Sequence, residues 1–300
     1  MKIRKAERKQ AKIRLGLQGP SGSGKTYGAL LIAHGLVGNW SKIAVIDTEF
    51  RSADLYAHIG DYNVLNLEKP FSPERYIQAI EFCEKAEMEV IIIDSITHEW
   101  ESILEIHGNM VGNSFTNWSK LTPRHNAFVN SILQSKCHVI STVRAKQDYV
   151  LTEKNGKHVP EKVGLKGITR DGMDYEFTVV LDIDIKHNCS ASKDRTGLFM
   201  DKPAFIIKES IGKTILDWCN SGIKADDVLS KIKECSTEED LRKLYNQYPD
   251  FQSLLKAEFT KRKEALNNLN LQTQNLTSNG INSNNQQQQH IGENGSVNRD

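Results

Sequence analysis

Residues 19–26 read Gly-Pro-Ser-Gly-Ser-Gly-Lys-Thr, which fills every fixed position of the pattern G-x-x-x-x-G-K-[ST]. The chemistry of that pattern is the holding of a nucleoside triphosphate. Gly19, Pro20, Ser21, Gly22, Ser23 and Gly24 form a turn whose backbone N–H groups converge on phosphate oxygens, helped by the N-terminus of the helix that follows. Lys25 is expected to reach the terminal phosphates, and the Thr26 hydroxyl to ligate magnesium. A chance glycine turn before a helix has the same composition, so the flanks decide. Before the turn, residues 13–18 alternate apolar and polar as a strand does. After it, residues 26–37 read as a helix. Strand, glycine loop and helix together are the setting in which the pattern has its meaning.

Two carboxylates extend the set. Asp94 closes the apolar run Val-Ile-Ile-Ile-Asp (residues 90–94). An acid at the end of a buried neighbouring strand is where a second magnesium-organising group belongs. Asp94 also suits the N-cap of a helix beginning at Ser95, and the two roles are compatible. Glu49 follows the strand Lys-Ile-Ala-Val-Ile-Asp (residues 42–47). A triphosphate hydrolase needs a carboxylate to orient the attacking water. In one class that acid directly follows the magnesium-organising aspartate, but Ser95 stands there and that class fits poorly; a resemblance to the RecA class, whose glutamate sits at the end of the strand after the P-loop helix, implies Glu49 for the role.

Strand-like and helix-like segments alternate from residue 13 to about 218. Residues 42–47, 90–94, 138–142 and 177–187 read as strands, with short terminal strands at 196–200 and 204–208. Helices are expected over 73–87, opened by Ser72 and Pro73, and over 122–135, opened by Thr122 and Pro123. This alternation predicts an α/β fold with a mostly parallel central sheet. The segment 145–170 has few large apolar residues and reads as a long functional loop. The domain plan is a basic N-terminal arm (1–12), a core (13–222), a small C-terminal helical appendage (223–266) and a disordered Asn/Gln-rich tail (267–300). In the appendage, Ser236 and Glu239 form a capping-box pattern.

The glycine loop, the Ile-Asp-Thr-Glu segment ending at Glu49 and the Val-Ile-Ile-Ile-Asp-Ser run together resemble RecA-type recombinases. The resemblance covers about residues 13–220 and points in particular to the compact phage RecA-core ATPases of the single-strand annealing group. It implies a RecA-like P-loop NTPase fold that hydrolyses ATP with Mg2+. Tyr56 falls where that family stacks a tyrosine on adenine. Lys193 and Arg195, in a stretch resembling the paired strands that end the family's sheet, would complete a neighbouring subunit's ATP site. A polar hairpin turn explains the same residues locally. One departure is Thr142. It stands nearest to the position of the family's phosphate-sensing glutamine, and its hydroxyl is the shorter group.

The resemblance also implies single-stranded DNA and a homo-oligomer, ring or filament, as partners. Between residues 144 and 171 seven basic residues, Arg144, Lys146, Lys154, Lys157, Lys162, Lys166 and Arg170, face four acids. Such a loop can neutralise phosphates, or it is an ordinary solvated loop. A second loop, about His107–Trp118, mixes glycines with Met110, Phe115 and Trp118. Its aromatics either stack on bases or anchor the next helix in the core.

Across the whole chain of 300 residues, 39 basic and 38 acidic side chains nearly cancel, so any basic surface must be local. The five cysteines form no C-x-x-C pair, which argues against a zinc site or a disulfide framework, and Cys137 reads as a core thiol. The histidines show no metal-ligand spacing. No apolar run is long enough to span a membrane. The basic N-terminus lacks the apolar stretch of a secretory signal. A cytoplasmic protein is expected, in a bacterial host if phage-encoded. Two alternatives to a DNA-recombination ATPase stay open. One is an ATP-driven loader of a replication or single-strand-binding protein partner. The other is a small-molecule kinase, in which Glu49 and the late basic strand have no place.

Overall fold

The computed structural model describes residues 10–154 and 157–269, and for residues 147–164 and 250 the backbone alone. Most of the basic arm, and the tail from residue 270 on, lie outside the described residues. Contacts divide the chain into two compact units, Ala11–Ser221 and one beginning at Gly222.

The larger unit is built on a sheet of eight strands. They are β1 (Arg14–Gly19), β2 (Ile43–Asp47), β3 (Asn63–Asn66), β4 (Val90–Asp94), β5 (His138–Lys154), β6 (Lys157–Gly167), β7 (Val179–Ile183) and β8 (Cys189–Asp194). The order is β3-β2-β4-β5-β1-β7-β8, with β6 paired to β5 alone. All core pairs from β3 to β7 are parallel, and β8 turns back antiparallel to β7.

The continuous apolar runs expected of parallel strands arise because both sheet faces are covered. Alternate residues of one strand enter opposite cores. Ile43 and Val45 of β2 pack on one side, with α1 (Lys25–Val37) and α6 (Glu209–Asn220). Ala44 and Ile46 pack on the other, with α2 (Pro73–Lys85) and α4 (Ser114–Gln134). The crossover from β4 to β5 runs through α3 (Thr97–Asn109) and α4, and a single turn, α5 (Met173–Glu176), precedes β7.

Four sequence expectations need correction. Residues 145–167 are not a loop: β5 continues past the sheet and pairs with β6 as an antiparallel ribbon, from Ala145 opposite Gly167 to Lys154 opposite Lys157. Asn155 and Gly156, between those strands, are the dipeptide that favours a tight hairpin. Second, α4 begins at Ser114, eight residues before Thr122. Asn113 caps it by accepting the Phe115 N–H at 2.8 Å. Pro123 is therefore interior to a helix, on its exposed side. Third, residues 196–200 form no strand, because the Asp194 carboxylate takes their backbone donors, Thr196 N at 2.6 Å and Phe199 N at 2.7 Å. Residues 204–208 contribute only an isolated bridge between Phe205 and Cys189. Fourth, the strand expected over 177–187 is shorter: β7 ends at Ile183, and the Asp184 carboxylate accepts from the Lys186 and Asn188 N–H groups at 2.8 Å each as the chain turns into β8.

The C-terminal unit contains α7 (Ala225–Glu234), α8 (Glu238–Gln247) and helical residues 256–269. Val228, Ile232, Leu241, Leu244, Tyr248 and Phe259 form its own core. The N-cap of α8 is Thr237, one residue after the expected Ser236, and its hydroxyl accepts from Asp240 N at 3.1 Å. Among the described residues no helix is long and apolar enough to cross a membrane.

Candidate active site

The glycine loop lies between β1 and α1, at the edge of the sheet where the parallel strands end. Gly22 and Gly24 have φ of 78° and 87°, which side-chain-bearing residues rarely adopt. The loop frames a cavity of about 970 Å³ that also touches Tyr56, Glu49, Asp94 and Arg144. Lys25 Nζ donates to the Pro20 carbonyl at 2.9 Å. Burial lowers its pKa against the opposing pull of Asp94 and Glu49.

Strand order brings the acids together. β5 separates β1 from β4, so the end of β5 lies between the glycine loop and Asp94. The Thr26 hydroxyl donates to Asp94 Oδ2 at 2.6 Å, and the Thr142 hydroxyl donates to Oδ1. Thr142 is fully buried and is not part of the cavity wall. Its hydroxyl serves Asp94. Burial pushes the Asp94 carboxyl up, the two hydroxyls work against that, and Glu49 and Asp47 add to it.

Asp47 and Glu49 have different tasks although they are two residues apart. Both Asp47 oxygens are taken by backbone, Glu49 N at 2.7 Å and Ala53 N at 2.8 Å, so Asp47 shapes the turn. That leaves the Glu49 carboxylate projecting to the cavity. Arg144 Nε donates to Glu49 Oε1 at 2.9 Å and Nη2 donates to Oε2. Ser95 Oγ donates to Oε1 at 3.3 Å, and His98 Nε2 lies 3.9 Å away. Burial would raise the Glu49 pKa, but the bonds and charge of Arg144, with His98 and Ser95, bring it below the ordinary carboxylate value. Thr48 ties this turn to β4: its Oγ1 accepts from Ser95 N at 2.9 Å and lies 2.8 Å from His98 Nδ1.

The loop's fit to a phosphate ligand shows in its own atoms. Ser23 Oγ is buried with no hydrogen-bond partner. A Cβ on Gly19 would stand 2.5 Å from both Ser23 Oγ and the Ile183 carbonyl. Thr26 and Asp94, hydrogen-bonded to each other, are the oxygen donors suited to a hard divalent cation. On the rim, the rings of Tyr56 and Tyr27 lie 6.0 Å apart and tilted by 47°, open to a base.

The remaining candidates are scattered. Lys193 Nζ donates to the Asp174 carbonyl at 2.8 Å and Arg195 Nη2 to the Tyr175 carbonyl at 2.9 Å, so both cap the backbone of α5, away from the cavity of their own chain. Arg144 belongs to the cavity. Arg170 donates to Thr122 Oγ1 at 3.2 Å, and Lys166 lies 3.2 Å from Asp171 Oδ1. Lys146 is exposed. The side chains of Lys154, Lys157 and Lys162 lie outside the described residues. The expected loop at His107–Trp118 is mostly the end of α3 and the start of α4. There Trp118 stacks on His107 at 4.3 Å, while Phe115 is exposed and anchors nothing.

Sequence reasoning missed His187. Its Nδ1 donates to the Ser23 carbonyl at 3.0 Å and braces the glycine loop from the β7–β8 turn. It also missed His98 and the role of Arg144. Only Thr48 and Ser95, neighbours of the two key acids, carried a local signal.

No curated protein matches the chain. Residues 11–211, two thirds of its length, match the model of the AAA domain. With a P-loop NTPase fold and an ATPase-type site in that span, the chain belongs to the AAA domain family.

Proposed function

We propose that the protein is an ATP- and Mg2+-dependent ATPase of the RecA-like type that binds single-stranded DNA as an oligomer in phage-type recombination or annealing. The observation that carries this reading is the position of Glu49, two residues past the end of the strand that pairs with the strand of Asp94, and on the same cavity as Lys25 and Thr26. Lys25 and the loop amides hold the phosphates. Thr26 and Asp94 hold magnesium, which when bound neutralises charge on the phosphates. Glu49 accepts a hydrogen bond from the attacking water and orients it. Tyr56 offers its ring to the base. Lys193 and Arg195, engaged with α5 within their own chain, would act only across an assembly, on a neighbour's site.

The ribbon supports the DNA part of the reading. Its register sets Lys146 opposite Lys166 and Lys154 opposite Lys157. Like charges directly opposite each other destabilise a two-stranded ladder, and a polyanion along the ribbon relieves that. The test is ATP hydrolysis with and without single-stranded DNA. Stimulation by DNA is the expected result. Equal turnover in both would favour an ATP-driven loader of a protein partner, for which the C-terminal unit with its own core is the candidate docking module.

A further inference from the structure

The turn between β7 and β8 carries an imidazole onto the glycine loop. Asp184 fastens that turn: its Oδ1 accepts from the backbone N–H groups of Lys186 and Asn188 at 2.8 Å each, and its Oδ2 from Asn188 Nδ2 at 2.9 Å. His187 N donates to the Asp184 carbonyl at 3.0 Å. Held this way, His187 has a φ of 67°, a left-handed conformation uncommon for a residue with a side chain. Its ring lies against Gly24, where a Cβ would stand 3.4 Å from Nδ1. The same ring forms part of the cavity wall with Lys25, Thr26 and Tyr27.

The partner of Nδ1 fixes the chemistry of the ring. A backbone carbonyl only accepts, so the Nδ1 that lies 3.0 Å from the Ser23 oxygen carries the hydrogen. In a neutral imidazole Nε2 is then an acceptor. Phosphate oxygens are acceptors too and offer it nothing. On a nucleoside triphosphate the donors are the sugar hydroxyls and the amino groups of the base. The glycine loop and Lys25 take the phosphates, Tyr27 and Tyr56 offer rings to the base, and the sugar joins the two. His187 stands against the phosphate loop, where the sugar comes before the base. Ile206 and Ile207 line the same cavity, and their side chains have no acceptor for a hydroxyl.

We propose that His187 reads the sugar of the nucleotide: its Nε2 accepts a hydrogen bond from a ribose hydroxyl, so that the site prefers a ribonucleoside triphosphate to the deoxy form. This deepens the ATPase reading and rests on it. The bond is one of binding and selection. It leaves the roles of Lys25, Thr26, Asp94 and Glu49 in hydrolysis as they stand.

Calorimetric titration of the full chain in Mg2+ tests it, at pH 8, where an imidazole is ordinarily neutral. The probes are the β,γ-imido analogue of ATP and its 2′-deoxy and 3′-deoxy forms. In the wild type at least one deoxy form binds about fivefold more weakly than the parent, the loss expected for one hydrogen bond between uncharged groups. Which form it is identifies the hydroxyl. In His187→Asn, whose side chain tolerates the positive φ and is shorter than imidazole, all three nucleotides bind about equally. Loss of the bond to Ser23 weakens the three alike, so their ratio isolates the contact with the sugar. His187→Gly, at ease at the same φ, carries the test if the asparagine variant does not fold. Equal affinities in the wild type overturn the assignment, and are the result for a charged ring that serves a phosphate instead. A deoxy penalty of full size in either variant overturns it as well, and passes the sugar to Ser52, whose hydroxyl is on the same cavity. If none of the three binds, the ATPase reading falls and the sugar contact with it. Binding without discrimination removes the sugar contact alone.

Discussion

The Thr142 hydroxyl, at the end of the core part of β5, donates to the carboxylate of Asp94 on the adjacent strand. With Thr26 on the other oxygen, Asp94 is fully partnered yet almost completely buried. Burial still dominates and raises its pKa above the ordinary value of 3.8. The sign follows: a raised folded-state value contributes stability below the unfolded pKa and loses it as pH rises through the folded value. The ionised form of Asp94 therefore works against folding until a cation answers it.

Asp94→Asn is accordingly expected to raise the melting temperature at pH 7 in the absence of Mg2+ and nucleotide, by roughly 2–4 °C for each kcal/mol gained. The gain should fade toward pH 4, and ATP turnover should be lost. A lower melting temperature at pH 7 would contradict the electrostatic account of this residue.

Arg14 is expected to be a major structural anchor. Its buried guanidinium donates to the carbonyls of Cys137 at 2.7 Å and Leu133 at 3.1 Å, and to that of Ser135. It thereby fastens the end of α4 to β1. Burial brings its pKa down to about 10. Arg14→Met leaves those carbonyls without their donor and should cost about 3 kcal/mol in urea unfolding. A loss under about 0.5 kcal/mol, the scale of an ordinary surface change, would show that the clamp is dispensable.

Neutralising Lys146, Lys154, Lys157 and Lys162 together should weaken single-stranded DNA binding and leave ATP binding intact. The log–log salt slope should shrink by about 0.7 for every lysine that no longer neutralises a phosphate. An unchanged affinity and slope would take the ribbon out of the DNA site and move the loader reading ahead.

The residues that announced themselves in the sequence did so through short-range constraints. A glycine loop needs its glycines within a few positions, and parallel strands buried on both faces must be apolar throughout, as residues 90–94 are. The ribbon was hidden because its strands pair mainly with each other and its sequence has no continuous apolar run. The Asn155-Gly156 dipeptide was its one local mark in the sequence. Pro123 misled because proline is read as a helix start, while here exposure lets it sit inside α4. The partners of Glu49 were illegible for a different reason. Arg144 lies 95 positions away and His98 49 positions away in sequence, and only the strand order brings them to Glu49. Charge pattern and the RecA resemblance assigned Arg144 to DNA, since nothing local marks a guanidinium whose partner lies two strands away.

Glu49 is the residue on which hydrolysis turns. In single-turnover measurements with Mg2+ and ATP, Glu49→Gln should bind nucleotide within about threefold of the wild type and release phosphate roughly 10²–10⁴ times more slowly, the range for loss of a positioned proton acceptor. Phosphate release by Glu49→Gln at close to the wild-type rate would contradict the assignment, and with it the reading of this cavity as a hydrolytic site organised by Glu49.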